Sequence, residues 1–167
     1  MSKKKFLTVM AVFDAETQRK LYDIQKYLID NISQGTQTMG IPFHISLGSY
    51  PTDELTNVIS EIEMVSKSVS CFDIKLMSYG NFAKKVFFLK PEIPEELLIL
   101  RKRFESDYAN GYEWEPHATL FCGNEDDVTK AMSIAPELDF PILAKIVGIE
   151  LGEFFPPNKK FSTDFKK

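Results

Sequence analysis

The 167-residue chain contains few of the residues that usually mark metal or disulfide chemistry, with two cysteines and two histidines. Cys71 and Cys122 form no C-x-x-C pair and stand in apolar, strand-like segments, so we interpret them as buried thiols of a reducing compartment. Neither histidine is followed by a His, Asp or Cys two, three or four residues later, as a metal site would favour. The sequence therefore argues against a bound metal ion, and we expect no cofactor.

Long apolar runs and an excess of positive charge are also missing. The run Phe6–Phe13 follows a short basic tip, but it ends in Asp14 and lacks a signal-peptide cleavage site, so it predicts a strand. No run reaches membrane-spanning length. A net charge of -4 and a pI near 5.3 argue against binding along long duplex nucleic acid. We expect a cytoplasmic monomer without membrane contact that acts on a small molecule or a chain end.

The rest of the composition is typical of a globular protein, with 44% hydrophobic and 13% aromatic residues, and the length fits one domain over residues 1–167. Hydrophobic periodicity predicts alternating strands and helices. Strands are predicted at Phe6–Phe13, Phe43–Tyr50, Phe72–Met77, Val86–Leu89, His117–Cys122 and Ala144–Leu151. Helices are predicted at Glu16–Ile32, after Thr52 or Asp53, from Pro94 with a buried stripe reaching Tyr108, and from Asp126. Residues 34–40 are expected to form a loop and residues 158–167 a polar tail.

This order of elements occurs twice. Residues of about 6–80 and about 84–155 each give β-α-β-α-β, although the two halves share little sequence identity. Such an internal repeat favours two similar units related by a pseudo-two-fold axis. Such an arrangement would bring the two histidine-bearing strands face to face.

The two histidines occupy the same place in the two halves. Each begins a similar phrase on the second strand, His44-Ile45-Ser46-Leu47 and His117-Ala118-Thr119-Leu120. Because side chains alternate along a strand, each phrase presents an imidazole and a hydroxyl on one face. An imidazole transfers protons near neutral pH, and a hydroxyl donates to an anionic oxygen. A lone histidine on a strand is usually structural, but the pair at matching positions argues against coincidence.

The H-x-[ST] phrase, present once per half in a β/α chain of this size, resembles the two-histidine (2H) phosphoesterases. That superfamily includes RNA 2',3'-cyclic phosphodiesterases and proteins called 2'-5' RNA ligases. The resemblance implies a bilobal α+β fold with two mainly antiparallel sheets around a central cleft, helices outside and no metal. It also implies that His44 and His117 are catalytic and that Ser46 and Thr119 bind phosphate. After Thr119 the sequence departs from the family's common second motif.

These observations favour a metal-independent phosphodiesterase that hydrolyses a 2',3'-cyclic phosphate or a 2'-5' phosphodiester of a nucleotide or RNA end. One histidine would act as the general base and the other as the general acid, and the sequence does not assign which. The alternative is a non-catalytic nucleotide- or RNA-end-binding module that keeps the phosphate pocket. Paired histidines favour catalysis, because Arg or Lys serves better in a simple anion site.

Two aromatic residues continue the rows that carry the histidines. Tyr50 lies beyond Ser46, with Gly48 leaving space between, and Phe121 lies beyond Thr119, so either ring could stack on a base or complete the core. The basic run at residues 101–103 is interpreted as a solvated cluster on the third helix. Trp114 is interpreted as either packing or cleft wall.

Overall fold

The computed structural model describes residues 4–32, 41–109 and 113–167, so the loop expected over residues 34–40 lies outside the described residues. Within these ranges the strands are β1 (Phe6–Phe13), β2 (His44–Pro51), β3 (Phe72–Phe82), β4 (Val86–Pro91), β5 (Ala118–Cys122), β6 (Ile142–Phe154) and β7 (Asn158–Asp164). The α-helices are α1 (Ala15–Asp30), α2 (Leu55–Ser68), α3 (Glu95–Arg103) and α4 (Glu125–Ile134). None of the helices in these ranges is both long and apolar enough to cross a bilayer.

Side-chain hydrogen bonds cap the starts of α1 and α4. The Asp14 carboxylate accepts a hydrogen bond from the Thr17 amide at 2.9 Å at the start of α1, and the Asn124 side chain accepts one from the Asp127 amide at 2.8 Å at the start of α4. Each cap satisfies an amide that has no partner within the helix. Leu21 and Leu28 then turn the apolar face of α1 into the core, where both are fully buried.

The strands form one antiparallel hydrogen-bonded path in the order β2-β1-β6-β3-β4-β5, with β7 added on β6. The start of β6 pairs with β3 from Ile142 to Ile146, and its continuation pairs with β1 as far as Phe154. β3 likewise pairs first with β6 and then with β4. The fold is α+β, and the two sheets that the sequence led us to expect are joined to each other where β3 meets β6.

This strand order has a symmetry of its own. Exchanging β1 with β4, β2 with β5 and β3 with β6 returns the same path read from the other end. Each half of the chain therefore gives its last strand to the sheet of the other half. β2 and β5 occupy opposite ends of the path, yet their Cα atoms come within 8 Å of each other. The sheet must curve to bring its ends together. Its concave side forms a cleft between β2, which begins with His44, and β5, which directly follows His117.

Two expectations about chain segments were wrong. The polar tail expected from Asn158 instead forms β7, because a hairpin folds it back onto β6 and buries Phe165 in the core. Helix α3 ends at Arg103, so Tyr108 does not extend its buried stripe and is exposed. The chain turns after Phe104 to run beside β2, where the Ser49 amide donates to the Ser106 carbonyl at 2.7 Å.

Candidate active site

Both histidines line one cavity of about 660 Å³, which also exposes the hydroxyl-bearing residues Ser46 and Thr119. His44 begins β2 and His117 immediately precedes β5, the two strands that meet at the ends of the curved sheet. All four side chains are half-buried. The structure therefore brings the sequence-predicted catalytic and phosphate-binding residues into one space.

The two imidazoles are anchored in the same way. Nδ1 of His44 lies 2.7 Å from the Pro42 carbonyl oxygen, and Nδ1 of His117 lies 2.8 Å from the Glu115 carbonyl oxygen. Since a carbonyl oxygen only accepts, Nδ1 must carry the proton in both rings. Nε2 is then the nitrogen left to accept or donate a proton. Each ring is held in a fixed orientation by the residue two positions before it.

Burial lowers the pKa of both imidazoles. Loss of solvent around His44 lowers its pKa from 6.5 to about 4, opposed by the hydrogen bond to Pro42 and reinforced by His117. Loss of solvent also lowers the pKa of His117, opposed mainly by the hydrogen bond to Glu115. Phe82 contacts the His117 ring edge-on at 4.7 Å between centroids. Without a ligand, both rings are therefore neutral at pH 7.

The Ser46 and Thr119 hydroxyls are available to a ligand. Both belong to the cavity lining, and in the part of the chain that the structure describes neither hydroxyl takes part in a side-chain hydrogen bond. Each is two residues from a histidine on the same strand face. A hydroxyl in this position can donate to a phosphate oxygen held between the rings.

Each of these strands carries a β-bulge directly after the hydroxyl residue. Met10 pairs with Ser46 and Val9 with Gly48, which leaves Leu47 as the extra residue of β2. Phe88 pairs with Thr119 and Phe87 with Phe121, which leaves Leu120 as the extra residue of β5. An extra residue reverses which face the following side chains point to. The alternation that places histidine and hydroxyl together therefore ends at the leucine.

The bulges correct the expectation for the two stacking residues. Phe121 is fully buried and stacks on Phe87 at 5.5 Å between centroids. Tyr50 is half-buried against the core and does not belong to the cavity lining. Gly48 leaves no space for a ring, because a Cβ there would collide with the Phe104 carbonyl. Each bulge adds one residue between the hydroxyl and the aromatic residue, so strict alternation predicts the wrong face for the aromatic ring.

Other aromatic rings line the cavity instead. The lining includes Phe6, Tyr22, Phe43, Phe82, Trp114, Phe154 and Phe155. Phe155 is 61% exposed, with its ring 6.1 Å from Phe6 and 5.2 Å from Phe154 between centroids. Sequence reasoning missed this cluster because Phe6 and Phe155 are far apart in the chain and become neighbours only when β1 pairs with β6.

Arg101 is not part of a solvated cluster. It is 8% exposed, donates to the Leu47 carbonyl at 2.6 Å, forms an ion pair with Asp107 at 3.0 Å and lies 5.2 Å from the centre of the Trp114 ring. Its neighbours Lys102 and Arg103 are exposed, as expected. Arg101 follows Leu97 by one helical turn, and this spacing could have placed it on the buried face.

Trp114, the only tryptophan of the chain, serves both as packing and as cleft wall. Its Nε1 donates to the Ser46 carbonyl at 3.0 Å. Cys71 is partly buried, whereas Cys122 is exposed at the end of β5, contrary to expectation, because the bulge turns it toward the cavity. Among the described residues, no three His, Cys, Asp or Glu side chains are grouped closely enough to hold a metal ion.

Comparisons with known proteins bear on the fold. No family model matches the chain, and no curated protein does. Several solved structures match over nearly its full length. TT0787 of Thermus thermophilus is 15% identical, with 96% of this chain and 98% of that one covered and a TM-score of 0.66. A structure described as a phosphoesterase is 12% identical, with 98% and 99% covered and a TM-score of 0.66.

The apo form of E. coli LigT is also 12% identical, with 99% of this chain and 100% of that one covered and a TM-score of 0.62. Identities this low establish a shared fold and leave activity to be argued from the site. From end to end, the chain has the fold of these phosphoesterase and LigT structures, as its resemblance to the two-histidine phosphoesterases implied.

Proposed function

We propose that the protein is a metal-independent phosphodiesterase that hydrolyses a 2',3'-cyclic phosphate or a 2'-5' phosphodiester of a nucleotide or RNA end. The observation that carries this proposal is the matched pair of imidazoles. Both are fixed through Nδ1 by the carbonyl two residues earlier, and both line one cavity beside a hydroxyl. Hydrolysis at phosphorus needs one group that accepts a proton and one that donates a proton on the other side, and this pair supplies both.

The steps follow from that arrangement. Nε2 of the neutral histidine takes a proton from water as the new oxygen–phosphorus bond forms. Nε2–H of the protonated histidine gives its proton to the ribose oxygen as the old phosphorus–oxygen bond breaks. His44, whose pKa is lowered to about 4, is neutral at pH 7 and so is free to accept the proton, which leaves the role of acid to His117. The Ser46 and Thr119 hydroxyls donate to the non-bridging oxygens, where negative charge develops.

The acid must hold a proton although its pKa is lowered in the free protein. A phosphate anion placed between the rings raises the pKa of both, because an adjacent negative charge stabilises the imidazolium. Binding of the substrate would therefore charge the acid at the point where its proton is needed.

Solved structures of a protein with this fold support a nucleotide ligand. E. coli LigT has been crystallised with phosphate, with 3'-AMP and with ATP, and these structures match the present chain at 13–14% identity and a TM-score of 0.61. For the present chain we propose that the reacting phosphate lies at the histidines. The stacking role expected of Tyr50 and Phe121 then falls to rings that face the cavity, above all Phe155.

The alternative, a binding module without activity, fits the site less well. A simple anion site gains most from a permanent positive charge. Here Arg101, a cation in the cavity lining, is already paired with Asp107, and burial disfavours the charged form of both histidines. Two neutral imidazoles contribute little to anion affinity but are the right groups for proton transfer.

The test is turnover of a substrate panel with and without a chelator. The panel contains 2',3'-cyclic mononucleotides, 2'-5' dinucleotides and RNA ending in a cyclic phosphate. We expect hydrolysis of at least one class, unaffected by EDTA, with Ser46→Ala and Thr119→Ala each lowering kcat by roughly 100-fold. Binding of 2'- or 3'-nucleotides without turnover of any substrate would favour the binding module. Activity that is abolished by EDTA and restored by a divalent cation would contradict the mechanism.

A further inference from the structure

Each bulge leaves a backbone carbonyl that needs a hydrogen-bond donor, and in each case the donor comes from the other half of the chain. The extra residue of a bulge has no partner in the strand ladder, so its carbonyl must find another donor. In β2 that carbonyl belongs to Leu47 and in β5 to Leu120, and both residues are buried. A buried carbonyl without a donor would loosen the backbone next to the phosphate-binding hydroxyls.

A buried side chain from a helix of the opposite half supplies each donor. Gln25 of α1, in the first half, is 5% exposed and donates through Nε2 to the Leu120 carbonyl at 2.5 Å. Arg101 of α3, in the second half, is 8% exposed and donates through Nη1 to the Leu47 carbonyl at 2.6 Å. Each of these helices is the first of its half, and both reach across to the histidine phrase of the other half.

The two donors are themselves fixed. Asp107 accepts two hydrogen bonds from Arg101, at 3.0 and 3.1 Å. The guanidinium also lies over the ring of Trp114, which in turn holds the Ser46 carbonyl. Gln25 is buried in the middle of α1, a long helix whose apolar residues Leu21 and Leu28 are in the core. Neither donor can move without disturbing a helix or an ion pair.

We propose that Gln25 and Arg101 are reciprocal positioning residues, each of which sets the backbone of the histidine phrase contributed by the other half. Neither takes part in proton transfer. They fix the bulged strand segment that orients the histidine and the hydroxyl toward the cavity. They also connect each histidine phrase to a helix of the other half. Small displacements of such groups reduce rates strongly, since reaction requires near-attack geometry.

The proposal predicts that each substitution affects the opposite half of the chain, and this effect can be measured without an activity assay. In Gln25→Leu, backbone amide hydrogen exchange should accelerate in residues 118–122 and change little in residues 44–51. In Arg101→Met, it should accelerate in residues 44–51 and change little in residues 118–122. Ser66→Ala is the matched control, because Ser66 is 7% exposed and its hydroxyl donates to the Ile62 carbonyl of its own helix. Acceleration spread over the whole sheet, or confined to the mutated helix, would overturn the proposal.

A kinetic arm rests on the proposed function. With the best substrate of the panel, Gln25→Leu and Arg101→Met should lower kcat by about 10- to 100-fold while KM stays within about threefold, since binding is less sensitive to geometry than reaction. Arg101→Lys, which can still donate to Leu47, should recover much of the loss, whereas Ser66→Ala should keep the wild-type kcat. Equal kcat in the folded Met and Lys variants would overturn the proposal. No turnover by the wild type would instead count against the proposed function, and the exchange experiment would still decide this proposal.

Discussion

At the scale of single residues, the site depends on which nitrogen of each imidazole carries the proton. The carbonyls of Pro42 and Glu115 fix this choice for His44 and His117 by the same two-residue step back along the chain. The five residues from Pro42 to Ser46, and the matching five from Glu115 to Thr119, thus encode a tautomer as well as a pair of side chains. The desolvation that lowers both pKa values comes from the fold, and no sequence pattern reveals it.

The pH dependence of activity follows from those pKa values. In the proposed mechanism, kcat/KM requires that the protein without ligand hold one neutral and one protonated histidine. Because burial lowers both pKa values below 6.5, and that of His44 to about 4, the acid loses its proton as the pH rises toward neutrality and the base gains one as the pH falls toward 4. We expect a bell-shaped profile of kcat/KM with its optimum below 6.5, measured on a cyclic phosphate. The kcat profile should lie at higher pH, because bound phosphate raises both pKa values.

A rate that climbs steadily through pH 8 would contradict this assignment, since it would indicate hydroxide or a bound water as the group that titrates. The kcat/KM profile of His117→Ala offers an internal control. Its residual activity should lose the limb on the alkaline side, where the acid titrates.

Phe155 is the residue we expect to bind a base. The variant Phe155→Ala should lower affinity for a nucleotide or RNA-end ligand by about tenfold, since stacking of a base on an aromatic ring contributes roughly 1–3 kcal/mol, as titration with a fluorescent oligonucleotide would show. Phe155→Tyr should bind as the wild type does, because the ring is retained. Leu143→Ala is the matched control, being 60% exposed near the start of β6, the strand whose other end precedes Phe155, and outside the cavity lining. Equal affinities in Phe155→Ala and Leu143→Ala would remove Phe155 from the site.

At the scale of elements, the bulge is the feature that separates the correct predictions from the incorrect ones. The strand, the histidine and the hydroxyl were placed correctly from His44 to Ser46 and from His117 to Thr119. The residues after the bulge, Tyr50 and Phe121, were not. Alternating polarity predicts the sheet face of a side chain only where the strand has no bulge, and no residue in either phrase marks the extra leucine.

Gly48, which directly follows the bulge of β2, tolerates no side chain. A Cβ at this position would collide with the Phe104 carbonyl, which is backbone and cannot move aside easily. We expect Gly48→Ala to lower the free energy of unfolding by roughly 1–3 kcal/mol, measured by denaturant titration. Gly123→Ala is the control, because its nearest contact would be the Asp127 Cβ at 3.3 Å. If Gly48→Ala lowered the free energy of unfolding no more than Gly123→Ala does, the segment that carries the Phe104 carbonyl would shift easily and the prediction would be wrong.

Local signals elsewhere were enough to predict most elements. The strand Phe6–Phe13 was predicted with its observed bounds, and the other predicted helices and strands were recovered with shifted ends. The tail that forms β7 escaped because Asn158–Asp164 is mostly polar and exposed, so neither apolar content nor alternation marks it as a strand. The buried place of Arg101 escaped because a charge beside two exposed charges is usually solvated. For Arg101, a contact distant in the sequence overrides the local pattern.

At the scale of the whole molecule, the site exists because two similar halves exchange their last strands. The path β2-β1-β6-β3-β4-β5 places the histidine strands at its two ends and curves until they meet. Neither half could form the cleft alone, and each lends a helix to the other's histidine phrase. The repeat in the sequence indicated two facing units, but the exchange of strands cannot be derived from element order. The single-domain extent, the monomeric state and the cytoplasmic location stay predictions.

The most direct measurement is the rate of cyclic phosphate hydrolysis by wild type, His44→Ala, His117→Ala and the double variant, each shown to be folded by circular dichroism. If the two imidazoles act on one phosphorus as acid and base, each single variant should lose at least about 1,000-fold in kcat, and the double variant should be little worse than either, because removing one partner already disables the pair. A single variant that keeps wild-type activity, or losses that multiply in the double variant, would contradict the shared site.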